Sequence, residues 1–205
     1  MSLLTFFLSG SARLTTCRQF VFRVCICANA ARSLATGICL CLALSLHAET
    51  GIIYAPQSVQ VFFSPKGGAT EACVAVIEKA RRQIYVQAYS FTSAPIAKAL
   101  VAAHMRGVVV EVILDKSQRT EKYTSADFVA HAGIPTFIDA KHAIAHNKIM
   151  IVDGLTVVTG SFNFTKAAEE NNAENLLVLK DAKLAARYLE NWQEHKAHSE
   201  AYEAK

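Results

Sequence analysis

His146, Lys148, Asp153, Gly160, Ser161 and Asn163 lie within the eighteen residues HNKIMIVDGLTVVTGSFN. Four of these side chains can address a phosphate. An imidazole can attack phosphorus, an ammonium can neutralise a non-bridging oxygen, and a hydroxyl and an amide can donate to the other oxygens. The pattern His-x-Lys-x4-Asp-x6-Gly-Ser-x-Asn fixes six positions. At average residue usage it arises by chance on the order of 10⁻⁸ per start point.

The intervening residues explain how the set could converge. Ile149 to Val152 is apolar and β-branched, Asp153-Gly154 is a turn signal, and Leu155 to Thr159 is apolar and β-branched again. That reads as strand, tight turn and strand. Side chains alternate along a strand, so His146 and Lys148 share a face. The return strand brings Ser161 and Asn163 back to the same end. By this geometry Asp153 sits at the turn, remote from His146, as a turn-capping or salt-bridging residue. Gly160 is expected to permit a close backbone approach beside the phosphate.

The flanking chain alternates between the two periodicities. Strands are expected over 60–64, 84–91, 108–114, 135–138 and 175–179. Helices are expected over 70–82, 94–106, 125–132 and 182–195. This alternation predicts an α/β domain, a mixed β-sheet flanked by helices on both faces.

Composition separates a leader from the domain. Residues 1–48 hold Arg13, Arg18, Arg23 and Arg32, no acidic residue, and five of the six cysteines. LATGICLCLALSL (34–46) is a short apolar core followed by His47-Ala48. This reads as a secretory signal peptide, giving a secreted or periplasmic domain over 49–205; a retained membrane anchor is the alternative. The chain has 21 basic and 17 acidic residues, and the leader supplies four of the basic ones. The remainder is therefore balanced at 17 each, and global charge gives no argument for nucleic acid. Lys116, Arg119, Lys122 and Lys141, with Tyr123 among them, are candidates for a groove along a DNA strand; an ordinary solvated surface is the competing reading. Cys73, the one cysteine outside the leader, lies on an apolar helical face and is expected to be a buried, inert thiol.

The motif resembles the signature of the phospholipase D superfamily. The segments AYSFTSAPIAKAL (88–100), RGVVVEVILDKSQ (106–118) and GSFNFTKAAEENNAENLLVL (160–179) resemble its small exported bacterial endonucleases. The resemblance covers most of 58–195 and implies a phospholipase D-like fold. It also implies a metal-independent endonuclease on DNA, with RNA a further candidate, working through a phosphohistidine. Each such chain carries one motif, and two chains form a homodimer with a shared active site. His146 would be the nucleophile and Lys148 the phosphate-neutralising cation. Asn163 and Ser161 would bind the phosphate oxygens. The family's downstream acid falls on Glu174, which would hold the second imidazole nitrogen. Glu169 and Glu170 are rivals read as solvated. His104, His131, His142 and His195 lack motif context and are read as structural or solvated. No cluster with metal-ligand spacing is expected, and no cofactor. The alternatives are a phospholipid hydrolase, cardiolipin being one substrate known for short members, and a silent nucleic-acid-binding protein.

Overall fold

The computed structural model describes residues 54–205; the leader reading falls outside the described residues. The strands are β1 (Ser58–Ser64), β2 (Gln83–Ala88), β3 (Val109–Asp115), β4 (Thr136–Asp139), β5 (Lys148–Val152), β6 (Thr156–Gly160), β7 (Glu174–Lys180) and β8 (Glu200–Ala201). The helices are α1 (Ala69–Lys79), α2 (Ala94–Met105), α3 (Ala126–His131), α4 (Lys166–Glu170) and α5 (Ala182–His198). The strands form one sheet in the order β1-β7-β6-β5-β2-β3-β4-β8. Parallel pairing is confined to β2-β3-β4, and the other pairs are antiparallel. The sheet is mixed, as its alternating elements predict.

The strands at the centre are buried on both faces, and their parity sorts the core. On β5, Met150 and Val152 join the larger cluster, which includes Cys73, Ile77, Ile96, Leu100 and Val129 from α1, α2 and α3. Ile149 and Ile151 join the smaller one, with Ala185 and Trp192 of α5. Trp192 Nε1 donates to Val86 O at 2.9 Å, which satisfies the one polar atom of that buried ring. Cys73 is fully buried, and burial pushes its thiol up to about 12, the inert state expected of it.

Three short elements go beyond the periodicity reading: a 3₁₀ turn at Lys116–Arg119, α4 and β8. Each has only two to five residues, too few to carry a period. α1 ends at Lys79, not at Arg82, because 81–83 turn to bind Asp153, and α5 runs on to His198. The hairpin turn has three residues, since Val152 pairs with Thr156. Asp153 (φ 55°) and Gly154 (φ 67°) are both left-handed, the conformation that Asp-Gly tolerates best.

Candidate active site

His146 immediately precedes β5, and the loop that delivers it is held on both sides. Asp115, at the end of β3, accepts from Ala145 N at 2.7 Å through Oδ2 and from Ser117 N at 2.9 Å through Oδ1. On the other side Asn147 Nδ2 donates to the buried Gln87 Oε1 at 3.0 Å, and Tyr89 N donates to Asn147 O at 2.9 Å. The backbone on each side of the imidazole is thus fixed while the ring itself is exposed.

Lys148 opens β5 and is only 6% exposed. Its Nζ donates to His146 O at 2.7 Å and lies 2.8 Å from His146 Nδ1. Burial lowers its pKa from the ordinary lysine value, against the opposing charge of Glu174. The Tyr89 ring lies 4.6 Å from the imidazole and 5.2 Å from Nζ, closing that side. Tyr89 was not singled out in the sequence; its signal is only that β2 pairs with β5, bringing Ala88 opposite Lys148.

The second arm comes from the end of β6. Phe162 and Phe164 are fully buried, so the residues between and before them, Ser161 and Asn163, turn the other way. Ser161 Oγ accepts from Asn175 N at 3.1 Å and from Asn175 Nδ2 at 3.3 Å. Asn163 Oδ1 is buried with no hydrogen-bond partner, and its side chain lines the same cleft. An unpartnered buried amide oxygen is costly, and positions of this kind concentrate where ligands bind. His146, Lys148, Gly160, Ser161, Asn163 and Glu174 together line one open cleft of about 340 Å³.

One expectation needs correction, and two residues have partners that the sequence did not show. Gly160 lines the cleft and also makes a close approach to β7: a Cβ there would sit 2.3 Å from Asn175 O, and φ is 147°. The absence of a side chain at Gly160 lets Ser161 and Asn175 meet. Glu174 lines the cleft, but its carboxylate accepts from Asn172 Nδ2 at 3.2 Å, while His146 Nδ1 faces Lys148. Glu169 is not solvated. Its two carboxylate oxygens accept from Gly68 N (3.1 Å) and Thr70 N (2.8 Å), capping α1, a long-range role that local polarity hides.

Asp153 accepts from Arg81 N, Arg82 N and Gln83 N at 2.8–3.0 Å, at the far end of β5 from Lys148. Of the basic groove candidates, Arg119 pairs with Glu200 and Lys116 donates to His142 O at 3.1 Å. Lys122 lies over the exposed Tyr123 ring at 5.3 Å, and Lys141 is exposed.

The expectation of no metal-ligand cluster is also overturned. Asp139, His142, His195 and His198 converge at the end of β4, with ligand atoms all within 4.8 Å of one another. His142 and His195 are thus members of one polar cluster. The spacings Asp-x-x-His at 139–142 and His-x-x-His at 195–198 were the available signal. None of the four lines the cleft around His146.

The model of the family described as "Cardiolipin synthase, PLD-like domain" matches residues 73–196. The chain belongs to the phospholipase D superfamily. A Rickettsia prowazekii protein named phospholipase D is 44% identical over 145 residues, 71% of each chain. The Xenopus tropicalis mitochondrial cardiolipin hydrolase is 31% identical over 121 residues, 57% of this chain and 58% of that one. Among solved structures, Nuc from Salmonella typhimurium, a phospholipase D family member, superposes with a TM-score of 0.69 at 44% identity. It covers 71% of this chain and 97% of its own. NucT from Helicobacter pylori follows at TM-score 0.66 and 25% identity, covering 71% and 99%. The fold is that of Nuc, and the chain is a phosphodiesterase of this superfamily.

Proposed function

We propose that the protein is an endonuclease that hydrolyses DNA phosphodiesters through a phosphohistidine, without a catalytic metal ion. The observation that carries this reading is the cleft itself. It is open, lined by polar groups, and supplies a nucleophile, a buried cation and an uncommitted amide within one motif. An extended polymer backbone can lie across an open cleft without its bases being read. Lys122 with Tyr123, and Lys141, offer charge and stacking for the strand. The near-complete coverage of Nuc by this chain supports the same assignment.

The steps follow from the atoms present. Nδ1 of His146 is turned to Lys148, so Nε2 is the nitrogen that faces the cleft. As a phosphate enters, Lys148 Nζ turns to a non-bridging oxygen, where a charge-assisted bond forms. In the resting cleft Lys148 donates to Nδ1, so the neutral ring carries its proton on Nε2. As Nζ leaves, Nε2 gives that proton to solvent and Nδ1 takes one up, its N–H then donating to Glu174, the carboxylate on the same cleft. Nε2 attacks phosphorus, forming the N–P bond as the P–O bond to the leaving sugar breaks. The leaving oxygen needs a proton, and a second copy's His146 is the donor in a homodimer. That imidazole, now neutral, takes a proton from water, which attacks phosphorus and returns the first histidine.

An apolar stripe beside the cleft supports that pairing. Val59, Val61 and Phe63 alternate on the edge strand β1 and are 51–65% exposed on one face. Phe63 pairs with Asn175, the residue that holds Ser161. An apolar stripe on a sheet edge next to the site is where a second copy would bury area and bring a second His146.

Phospholipid hydrolysis is the second reading. It is favoured by Ile144, 57% exposed two residues before His146, and by the cardiolipin hydrolase relatives. Incubating the purified protein with plasmid DNA and with a radiolabelled phospholipid, both in EDTA, separates the two. Nicked and linear DNA with intact lipid is the expected result; cleaved lipid with intact plasmid would overturn the nuclease reading.

A further inference from the structure

We propose that Asp139, His142, His195 and His198 form a structural binding site for one divalent transition-metal ion of the zinc class. The proposal is independent of the substrate assigned to the cleft.

The four residues come from three places in the chain. Asp139 ends β4, His142 follows in the loop to β5, and His195 and His198 lie one turn apart near the end of α5. Asp139 is fully buried. Its Oδ2 lies 2.7 Å from His195 Nδ1, 3.0 Å from His142 Nδ1 and 3.3 Å from His198 Nε2. Its Oδ1 accepts from Lys141 N at 3.1 Å and lies 3.2 Å from His142 Nδ1, which is thus shared between the two oxygens. Three imidazoles thus aim a ring nitrogen at one carboxylate oxygen. Their centroids are 4.8–5.4 Å apart and their planes are inclined at 41–60°, an arrangement of spokes rather than stacked rings.

A salt-bridge hub does not account for this arrangement. One imidazolium is enough to neutralise one carboxylate, and three would leave an excess of two positive charges around a buried anion. Three neutral N–H donors would crowd an oxygen that has two in-plane lone pairs. The geometry records that crowding: His198 Nε2 is buried, lies within 3.3 Å of Oδ2, and still makes no hydrogen bond. A divalent cation removes the conflict. It takes the lone pairs of three neutral imidazoles and one carboxylate oxygen, a His3Asp donor set suited to tetrahedral Zn²⁺ or Co²⁺. Tetrahedral bonds of ~2.0–2.1 Å place donors about 3.3–3.4 Å apart, so the closest pair, at 2.7 Å, must open by ~0.6–0.7 Å and no pair must draw in by more than ~1.4 Å. His142 is the exposed member and lies on a loop, outside the regular elements that hold the other three.

The site would clamp the end of α5 to β4 and to the loop that leads into His146. Because none of its residues lines the cleft, the ion would act on stability and not on phosphoryl transfer.

The test is titration of chelator-stripped purified protein with Zn²⁺ and with Co²⁺. One equivalent should bind per chain, and Co²⁺ should give the intense visible absorption of a tetrahedral centre. Saturating Zn²⁺ should raise the melting temperature by ~5 °C or more. His142→Ala, at an exposed position, should weaken binding by more than about a hundredfold, since it removes one of four ligands. His195→Gln should do the same, and His146→Asn should bind as the parent does. Turnover well below the melting temperature should be equal for stripped and loaded protein. Absence of a tetrahedral Co²⁺ spectrum in the parent protein, or binding unchanged in both His142→Ala and His195→Gln, would overturn the proposal.

Discussion

The two ends of β5 carry residues of one motif and are built in opposite ways. At the Lys148 end, polar groups are left short of partners. Among the described residues the buried lysine makes no ion pair and hydrogen-bonds only to His146, Asn163 Oδ1 has no hydrogen bond, and the imidazole is exposed beside them. At the Asp153 end every demand is met. The carboxylate takes three backbone N–H groups, Arg82 Nη2 donates to Asp153 O at 2.7 Å, and Asp153 N donates to Gln83 O at 2.9 Å. The same strand therefore ends in a site that stores interaction capacity and in one that has spent it on the fold. Motif membership alone does not distinguish the two; their partners do.

The largest effect on turnover is expected of His146→Asn. Asparagine keeps a polar side chain but cannot form the phosphohistidine, so turnover should fall to background. The melting temperature should hold, because the exposed ring contributes little packing. In an equimolar co-expression, random pairing leaves about a quarter of dimers with two intact histidines, so activity should fall to about a quarter if both copies are needed. A fall to one half would mean that each chain works alone. Loss of stability in the variant would mean that the Lys148 end also serves the fold.

Lys148→Ala comes next. It removes the cation that would meet the developing phosphate charge, and a rate loss of ~10²–10³ is expected, by analogy with the removal of a single oxyanion donor. Its effect on stability should have the opposite sign from that of an ordinary buried deletion. Burial lowers the Lys148 pKa, so the charged form is disfavoured in the fold, and removing it should leave the melting temperature unchanged or higher. The same depression implies that activity is lost at a lower pH than free lysine titration would give. A thermal melt alongside a pH–rate profile checks both. A marked drop in stability without loss of rate would assign Lys148 to the framework.

The motif was legible because chemistry at a phosphate needs fixed residue types and strand alternation fixes their spacing. His146, Lys148, Ser161, Asn163 and Glu174 accordingly line one cleft. The sheet and its main helices were legible for the same reason, through runs long enough to show a period. What escaped was set by pairing between distant segments. Gly160 is required by Asn175 across the sheet, Glu169 by the start of α1, and Asp139 with its three histidines by the docking of α5 on β4. Tyr89 reaches the site only because β2 lies next to β5. None of these partners is within reach of a local window.

Asp153→Ala is the smallest expected effect on rate and the sharpest complement to the first two. The carboxylate is partly shielded by its position, and burial alone would raise its pKa. The N–H groups of Gln83, Arg81 and Arg82 outweigh that and hold it below the ordinary aspartate value. Its contribution to stability is therefore present above the unfolded aspartate pKa and is lost as pH falls through the depressed native value. Alanine leaves three backbone donors without their acceptor and also places a less tolerant residue at φ 55°. A loss of ~0.5–1.5 kcal/mol is expected by chemical denaturation at neutral pH, because two of the three donors can turn to water, and it should shrink as the pH is lowered. Asp153→Asn keeps the left-handed tolerance and one acceptor oxygen, so it should lose less. Cleavage rates of both variants, measured well below their melting points, should match the parent. A rate defect in the asparagine variant would show that the turn end of β5 takes part in the chemistry, and the contrast between the two ends would fall.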